Sequence, residues 1–388
     1  YISDAKEGEK ILLAGLEKFP NDESIIERLT DVYYGMGITD KTVNFYEQLG
    51  AKGNSKAYLN LGYLYQDDKQ YNLAEENFLK AANNNVEGSK LALAEFYKSQ
   101  KKYDLAEKYY LEVKAEDADD GGLADLYIIQ KKYDLAEKLF QDSGKYDRQE
   151  ILSTIAGRAF NLEDYKTAEK YYLQEMKENP NSFYNQIPLA QSAEKAGDNS
   201  LAEEMYKKDI VSNSGGVSTG DYVNFMLKQG KLAEVEKFVE ENKGTDIETS
   251  IYGSILSNYF DAKNVEGMKK YSQKLIDLED ESYRYEMGYA YYLEKNYSEA
   301  TKNFLIAKKF PNFTENSLYY LGMVEKEKGN MKDAKAYFLQ VYKKDKYYSV
   351  DLLNELKAIY EKEGNTVEIK RIQGYIDEIN NSNDDTDY

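Results

Sequence analysis

The 388-residue chain has no cysteine, no histidine and no tryptophan, and only 4 prolines. Without cysteine there are no disulfides and no thiol chemistry, a composition compatible with cytoplasm or cell envelope. Without histidine, Ser-His-Asp and Cys-His catalysis are excluded, together with zinc sites of the usual nitrogen–sulfur type and an imidazole pH switch. No apolar run approaches the length of a membrane span, and no stretch reads as a targeting segment. A Gly-rich phosphate loop is also missing. Basic charge is the minority: 51 Lys and Arg stand against 70 Asp and Glu, for a net charge of −19. That balance opposes nucleic-acid binding, which needs cations to neutralise phosphates, and docking on anionic lipid. The many carboxylates form pairs everywhere, but none stands on a distinctive motif. The segment from Glu116 to Gly122 alternates carboxylates before a glycine. It lacks the distal bidentate glutamate of a calcium loop and reads as a solvated loop. The chain is therefore read as no enzyme, with no cofactor and no metal.

What is present is a period. A small or apolar residue recurs at Gly8, Thr42, Ala74, Ala106, Ala136, Ala168, Ala202, Val235, Met268, Ala300, Ala334 and Ile369, in steps of 30 to 35 residues. An aromatic usually follows four residues later, as Tyr46, Phe78, Tyr110, Phe140, Tyr172, Tyr206, Phe304 and Phe338. A period near 34 along the whole chain predicts a solenoid of stacked units. In one unit, Leu61, Gly62 and Tyr65 share a face of a first helix, and Ala74, Phe78 and Ala81 share a face of a second. Gly and Ala let the two backbones approach, and the aromatics fill the space beside them. Neither helix buries its face alone, so stacking on neighbours supplies the core.

These residues resemble the tetratricopeptide repeat family. Near-copies recur in the second helices: Tyr103-Asp-Leu-Ala-Glu-Lys-Tyr-Tyr110, Tyr133-Asp-Leu-Ala-Glu-Lys-Leu-Phe140 and Tyr165-Lys-Thr-Ala-Glu-Lys-Tyr-Tyr172. The first-helix apolar site stands thirteen residues before each small site, from Leu29 and Leu61 through Leu321 and Leu356. A small residue follows it at Gly62, Ala94, Ala124, Ala156, Ala190, Gly288 and Gly322, and the family tyrosine at Tyr33, Tyr65, Tyr97, Tyr127, Tyr259, Tyr291 and Tyr360. The late proline persists as Pro20, Pro180 and Pro311. The resemblance implies an all-α, right-handed superhelical solenoid of helix-turn-helix repeats.

Departures from the pattern carry their own expectations. Val235, Met268, Val239 and Ser272 depart from the small and aromatic sites, so the units between Gly216 and Leu275 are divergent and their register is open to slippage. Pro188 inside a first helix predicts a late start or a kink. Lys357 and Gln373 put polar groups at packing sites of the last unit, as a terminal cap would. The expected organisation is an N-terminal array over 1–212 with an incomplete first repeat, a C-terminal array with a capping repeat over 213–379, and a disordered acidic tail over 380–388. The stretch from Asn213 to Gly220 reads as a long inter-repeat loop. A chain that opens on Tyr1 reads as a processed form. It is placed in the cytoplasm, or in the cell envelope if a leader was removed. Lysine-rich, Asn- and Tyr-rich usage resembles the product of an AT-rich bacterial genome.

The resemblance directs function to the inner face of the superhelix, where first-helix residues bind peptides or partner segments. Glu27, Asp31, Tyr34, Lys56, Tyr63, Glu95 and Lys98 make a mixed polar set there, and Phe160, Leu227 and Phe260 follow at wide intervals. Tyr285, Tyr289, Tyr292, Tyr319 and Met323 then fall together. Such aromatics with a methionine suit a peptide groove, offering large contact area with little entropy to lose. The stripe is either that groove or a second packing surface. The Lys and Asn set by which some relatives clamp a C-terminal carboxylate is not reproduced. The expected function is a protein-interaction scaffold with a protein or peptide partner. The alternatives are a cell-envelope assembly or adhesion-related lipoprotein, and a peptide-sensing regulator whose DNA-binding domain would lie upstream. If the register is right, Ala106→Phe costs about 1–3 kcal/mol by overpacking, and Glu107→Gln, read as exposed, stays within about 0.5 kcal/mol. Equal melting temperatures for the two variants would show the register to be wrong.

Overall fold

The computed structural model describes residues 2–19, 22–36, 39–114, 121–180, 186–213 and 218–384. Pro20, the link at 214–217, the acidic loop at 115–120 and the tail end at 385–388 lie outside the described residues, as does the Tyr34 side chain. The contacts divide the chain into two compact units, Tyr1–Ser182 and Phe183–Tyr388. That division falls one repeat earlier than the boundary at 212/213.

The described residues are helical throughout. The first unit holds α1 (Ile2–Lys18), α2 (Glu23–Met36), α3 (Asp40–Ala51), α4 (Lys56–Asp67), α5 (Tyr71–Asn83), α6 (Ser89–Ser99), α7 (Tyr103–Lys114), α8 (Gly121–Ile129), α9 (Tyr133–Ser143), α10 (Arg148–Asn161) and α11 (Tyr165–Glu178). The second holds α12 (Gln186–Ala196), α13 (Asn199–Ser212), α14 (Ser218–Lys228), α15 (Leu232–Glu241), α16 (Asp246–Asp261), α17 (Val265–Asp277), α18 (Arg284–Leu293), α19 (Tyr297–Ala307), α20 (Thr314–Glu327), α21 (Met331–Lys344), α22 (Val350–Glu363) and α23 (Thr366–Asp384). From α2 onward, even-numbered helices are the first and odd-numbered the second helix of each hairpin. Within each compact unit a second helix also packs on the next first helix, as α5 does on α6 and α19 on α20. The last helix runs to Asp384, so residues 380–384 are helical where a disordered tail was expected.

The repeat register holds from hairpin α2–α3 to α20–α21, while in the last hairpin Ile369 is only half-buried. Thr42, Ala74, Ala106, Ala136, Ala168, Ala202, Val235, Met268, Ala300 and Ala334 are completely buried. Their first-helix partners Leu29, Leu93, Ile155, Leu189, Tyr222 and Ile255 are buried as completely. The reason is steric. A Cβ added at Gly62 would stand 2.4 Å from the Phe78 ring, and one at Gly322 would stand 2.4 Å from Phe338. The second-helix ring lies directly on the first-helix backbone. In the divergent hairpin α16–α17 the large and small partners exchange places: Leu256 stands where Gly62 would be and Ser272 where Phe78 would be, both buried. Volume is conserved, so the register does not slip. At the C-terminal end the same pair of sites is polar, and Lys357 Nζ donates to Gln373 Oε1 at 2.8 Å. Pro188 sits in the first turn of α12, where a missing N–H costs no intrahelical bond, and the helix starts late.

The turns inside the hairpins repeat as strictly as the core. Five residues before the small site, the backbone enters the left-handed region at Lys69, Lys101, Lys131, Glu163, Gly197, Gly230, Lys263, Lys295, Gly329 and Gly364. This geometry lets Lys131 N–H reach the Ile128 carbonyl at 2.8 Å and Lys132 N–H reach the Tyr127 carbonyl at 2.8 Å, closing the first helix. The residue after the turn then caps the second helix. Asp198 accepts from Leu201 N–H at 3.1 Å, and Asn264 from Gly267 N–H at 2.9 Å.

A polar clamp joins successive repeats of the first unit. The glutamate after the small residue accepts from the tyrosine hydroxyl of the next repeat: Tyr33 to Glu9 at 2.6 Å, Tyr97 to Glu75 at 2.9 Å, and Tyr127 to Glu107 at 3.1 Å. Lys102 and Lys132 complete two of these clamps. Burial raises the Glu75 pKa, but the Lys102 and Tyr97 hydrogen bonds outweigh it and hold the group below its ordinary value. Glu107 is therefore half-buried and bonded, not the free surface position expected of it.

The turn geometry generates a test. A non-glycine residue in the left-handed region is strained, so Lys131→Gly should raise stability by about 0.5–1 kcal/mol. Lys132→Gly, where φ is −88°, should lower it. The two urea midpoints check this, and a loss at residue 131 would contradict the turn assignment.

Candidate functional site

The aromatic stripe belongs to the second unit and is built from α18 and α20 upward. Each helix begins from a short 3₁₀ turn, Glu281–Tyr283 before α18 and Pro311–Phe313 before α20. In the first, Asp280 accepts from Ser282 N–H at 3.0 Å, and Arg284 pairs with Glu281 at 2.6 Å. In the second, the Thr314 hydroxyl donates to the Phe310 carbonyl at 3.0 Å. That turn brings Phe313 to stack on Tyr285, with ring centroids 5.3 Å apart and planes 25° apart. Gly288 and Gly322 press the opposite faces of α18 and α20 onto Phe304 and Phe338. Packing on one side thus fixes which residues look away from it.

The five expected residues divide. Tyr285 is buried and belongs to the core, among Phe304, Phe313, Tyr320 and Phe260. Tyr289, Tyr292, Tyr319 and Met323 are half-buried. Tyr289 and Tyr292 stack with planes 18° apart and centroids 6.5 Å apart. The stripe on α18 reaches the one on α20 through Tyr320, which meets Tyr289 at 5.1 Å, Tyr292 at 5.4 Å and Tyr319 at 5.2 Å. Phe260 adds an edge at 5.1 Å from Tyr289, and Tyr348 lies 6.0 Å from Tyr319 with its hydroxyl on Asn316. Met323 packs beside Tyr319 on the next core cluster. Tyr320 and Tyr348 escaped the sequence reading. Tyr320 sits one residue beyond an expected position, and nothing in the spacing marks it as a bridge. Phe260 was seen, but as isolated.

Electrostatics keep the Tyr319 and Tyr292 hydroxyls protonated. Burial, then the carboxylates of Asp351 and Glu355, push the Tyr319 hydroxyl up to about 12. Burial, then Glu327, raise that of Tyr292. The face therefore presents neutral phenols beside carboxylate side chains. Glu286, on the same helix, is a separate feature. Burial first, reinforced by Asp280, raises its carboxyl to about 7, and its Oε2 has no hydrogen-bond partner.

The first unit offers polar clefts. Glu27, Asp31 and Lys56 line one of about 600 Å³. Glu95, Lys98, Asp125, Thr154 and Arg158 line another of about 330 Å³, floored by Phe140 and Tyr146. Its charges already answer one another, Lys98 to Glu95 at 2.6 Å and Arg158 to Asp125 at 3.4 Å. Among the described residues no helix is long and apolar enough to cross a membrane.

Comparison with known proteins agrees with this architecture. Residues 55–85 match the family model of the tetratricopeptide repeat. A solved Naa15/Naa10 complex bound to HypK-THB aligns with a TM-score of 0.52 at 14% identity, over 96% of this chain and 60% of that one. The chain thus spans less than two thirds of that neighbour. The C-terminal part of a TPR repeat-containing protein from Cytophaga hutchinsonii aligns at 17% identity, over 66% of this chain and 93% of that one, with a TM-score of 0.35. Human IFIT1, solved as a dimer with m7Gppp-AAAA, aligns at 14% identity over 83% of this chain and 89% of that one, with a TM-score of 0.29. At such scores the last two add nothing further. A search of curated proteins gave no significant match. The fold is an all-α, TPR-like solenoid of helical hairpins, a kind typical of protein-interaction scaffolds.

The division of the stripe is open to measurement. Tyr285→Ala should cost about 3–5 kcal/mol, as loss of a large buried aromatic does. Tyr292→Ser, at a half-buried position, should cost about 1–2 kcal/mol. Equal thermal shifts would place both rings in the core.

Proposed function

We propose that this chain is a protein-interaction scaffold that holds a segment of a partner protein against the tyrosine face of its second unit. The observation that carries this is the layering of the face. Tyr285, Phe304 and Phe313 are packed beneath it, while Tyr289, Tyr292, Tyr319 and Met323 keep part of their surface in solvent. Rings held from below are preorganised, so a partner buries apolar area without ordering them first. Tyrosine also offers a hydroxyl at the wet end of an apolar body. The fold supports the same reading, since a solenoid of hairpins presents a long row of first-helix residues that its own packing does not consume. A non-enzymatic role accords with the lack of histidine and cysteine and of any distinctive carboxylate motif.

The test compares what the intact chain retains from a cell extract with what its Tyr289→Ser/Tyr292→Ser variant retains, by quantitative mass spectrometry. The reading expects specific partners to be lost at least tenfold, while Glu95→Gln/Lys98→Gln in the first unit keeps them. An unchanged set of retained proteins, with the variant still folded, would overturn it.

A further inference from the structure

The protein repeatedly builds one polar–aromatic arrangement from its own residues. A tyrosine ring carries a lysine ammonium over its face, and a carboxylate answers that lysine. Lys102 lies 5.4 Å from the Tyr97 centroid and pairs with Glu75 at 2.7 Å. Lys270 lies 4.9 Å from Tyr271 and pairs with Glu236 at 2.7 Å. Lys269 lies 5.1 Å from Tyr291 and pairs with Glu294 at 2.9 Å. Lys335 lies 4.2 Å from Tyr360 and pairs with Glu363 at 2.5 Å. Each triad joins ring quadrupole, cation and countercharge.

The tyrosine face has two of the three parts. Its rings are Tyr289, Tyr292 and Tyr319, and the carboxylates beside them are Glu327, Asp351 and Glu355. Among the described residues, none of the lysines stacked on aromatic rings lies over these three. Of the lysines on α20 and α21, Lys326 pairs with Glu355 of the face itself at 2.7 Å, while Lys328 pairs with Glu325 at 3.0 Å and Lys344 with Glu315. Lys326 answers Glu355 and Tyr297 bonds Glu327, and among the described residues no salt bridge is seen at Glu327 or Asp351 on the edge of the face.

We propose that the tyrosine face takes a basic peptide segment, whose lysine or arginine side chain lies over Tyr289 and Tyr292 with Glu327 and Asp351 as its countercharge. The inference rests on the docking function proposed above and narrows it to one partner chemistry. The complementarity is local, since the rings supply the site for the cation and the carboxylates its charge balance. It also accords with the net charge of −19, which steers a basic segment toward the chain and an acidic one away. The polar cleft of the first unit lacks this property, because its own Lys98 and Arg158 occupy its carboxylates.

A random dodecapeptide library displayed on phage and selected on the full chain at 0.15 M NaCl tests this. Peptides that need the face should be enriched in Lys and Arg. Their affinity should fall at least tenfold on Tyr289→Leu/Tyr292→Leu, which keeps every charge, and stay within about twofold on Tyr289→Phe/Tyr292→Phe, which keeps the rings. Glu327→Gln/Asp351→Asn should weaken them as well, and serves should the Leu variant fail to fold. Peptides that depend on the face but carry no basic enrichment would sink the cation and leave the docking function standing. Basic peptides indifferent to the Leu and Gln/Asn variants would show diffuse charge attraction and overturn the site. A selection with no peptide dependent on the face would remove the docking function itself.

Discussion

The contact on which the structure depends is an aromatic ring laid on a helix backbone. Phe78 on Gly62, Phe304 on Gly288 and Phe338 on Gly322 leave no room for a Cβ without movement. This close approach sets the spacing between the helices of a hairpin. That spacing determines which first-helix positions are spent on packing and which are left over. It must recur in every hairpin, because each unit borrows half its core from the next. One unit with a wrong spacing would tilt its neighbours, so selection acts on the volume of the pair and not on its chemistry. Leu256 with Ser272 shows this directly: the large and small members trade helices and the sites stay buried. Lys357 with Gln373 shows that the same pair of sites can also be held by a hydrogen bond.

Most of the fold was legible because it obeys that constraint. Small residue, ring four later and apolar site thirteen before are short-range relations, repeated often enough to survive divergence at Val235 and Met268. What escaped is of two kinds. The left-handed turn was invisible because lysine occupies it at Lys69, Lys101, Lys131, Lys263 and Lys295, and lysine is read as a solvated residue and not as a turn former. Yet glycine stands at the equivalent Gly197, Gly230, Gly329 and Gly364, and the shared offset of five residues from the small site was the available signal. Glu107 was misread for a related reason. A charge on an exposed-looking helix face became an inter-repeat acceptor only once the next repeat placed Tyr127 beside it.

The candidate site was legible as a row but not as a depth. Spacing put Tyr285, Tyr289 and Tyr292 on one face of α18, and Tyr319 and Met323 on one face of α20. It did not show that Tyr285 lies under the surface. That depth is set by Phe313 from a 3₁₀ turn and by Phe260 from an earlier repeat, contacts that no local periodicity encodes. Tyr320 is the clearest case. It joins the two stripes, yet it belongs to neither face in a helical projection. The stripe, posed from the residues as groove or packing surface, divides into a buried ring at Tyr285 and half-buried side chains at Tyr289, Tyr292, Tyr319 and Met323.

The polar clamps add a second, weaker order to the array. In the first unit the acid belongs to the earlier repeat and the lysine to the later one, as in Glu75 with Tyr97 and Lys102. Toward the end of the second unit the charges have changed places, as in Lys269 with Glu294 and Lys335 with Glu363. The tyrosine between them is kept. Its ring carries the cation in both arrangements, and in the first its hydroxyl also donates to the acid. Partly exposed pairs of this kind contribute little individually, so core packing does not oblige the reversal. Its consequence is local. It keeps lysines on ring faces inside the array, as Lys269 on Tyr291 and Lys335 on Tyr360. A chain with fewer cations than anions cannot answer every carboxylate, and among the described residues the rings of the second unit without a stacked lysine include the buried Tyr206 and Tyr285 as well as the half-buried Tyr289, Tyr292 and Tyr319.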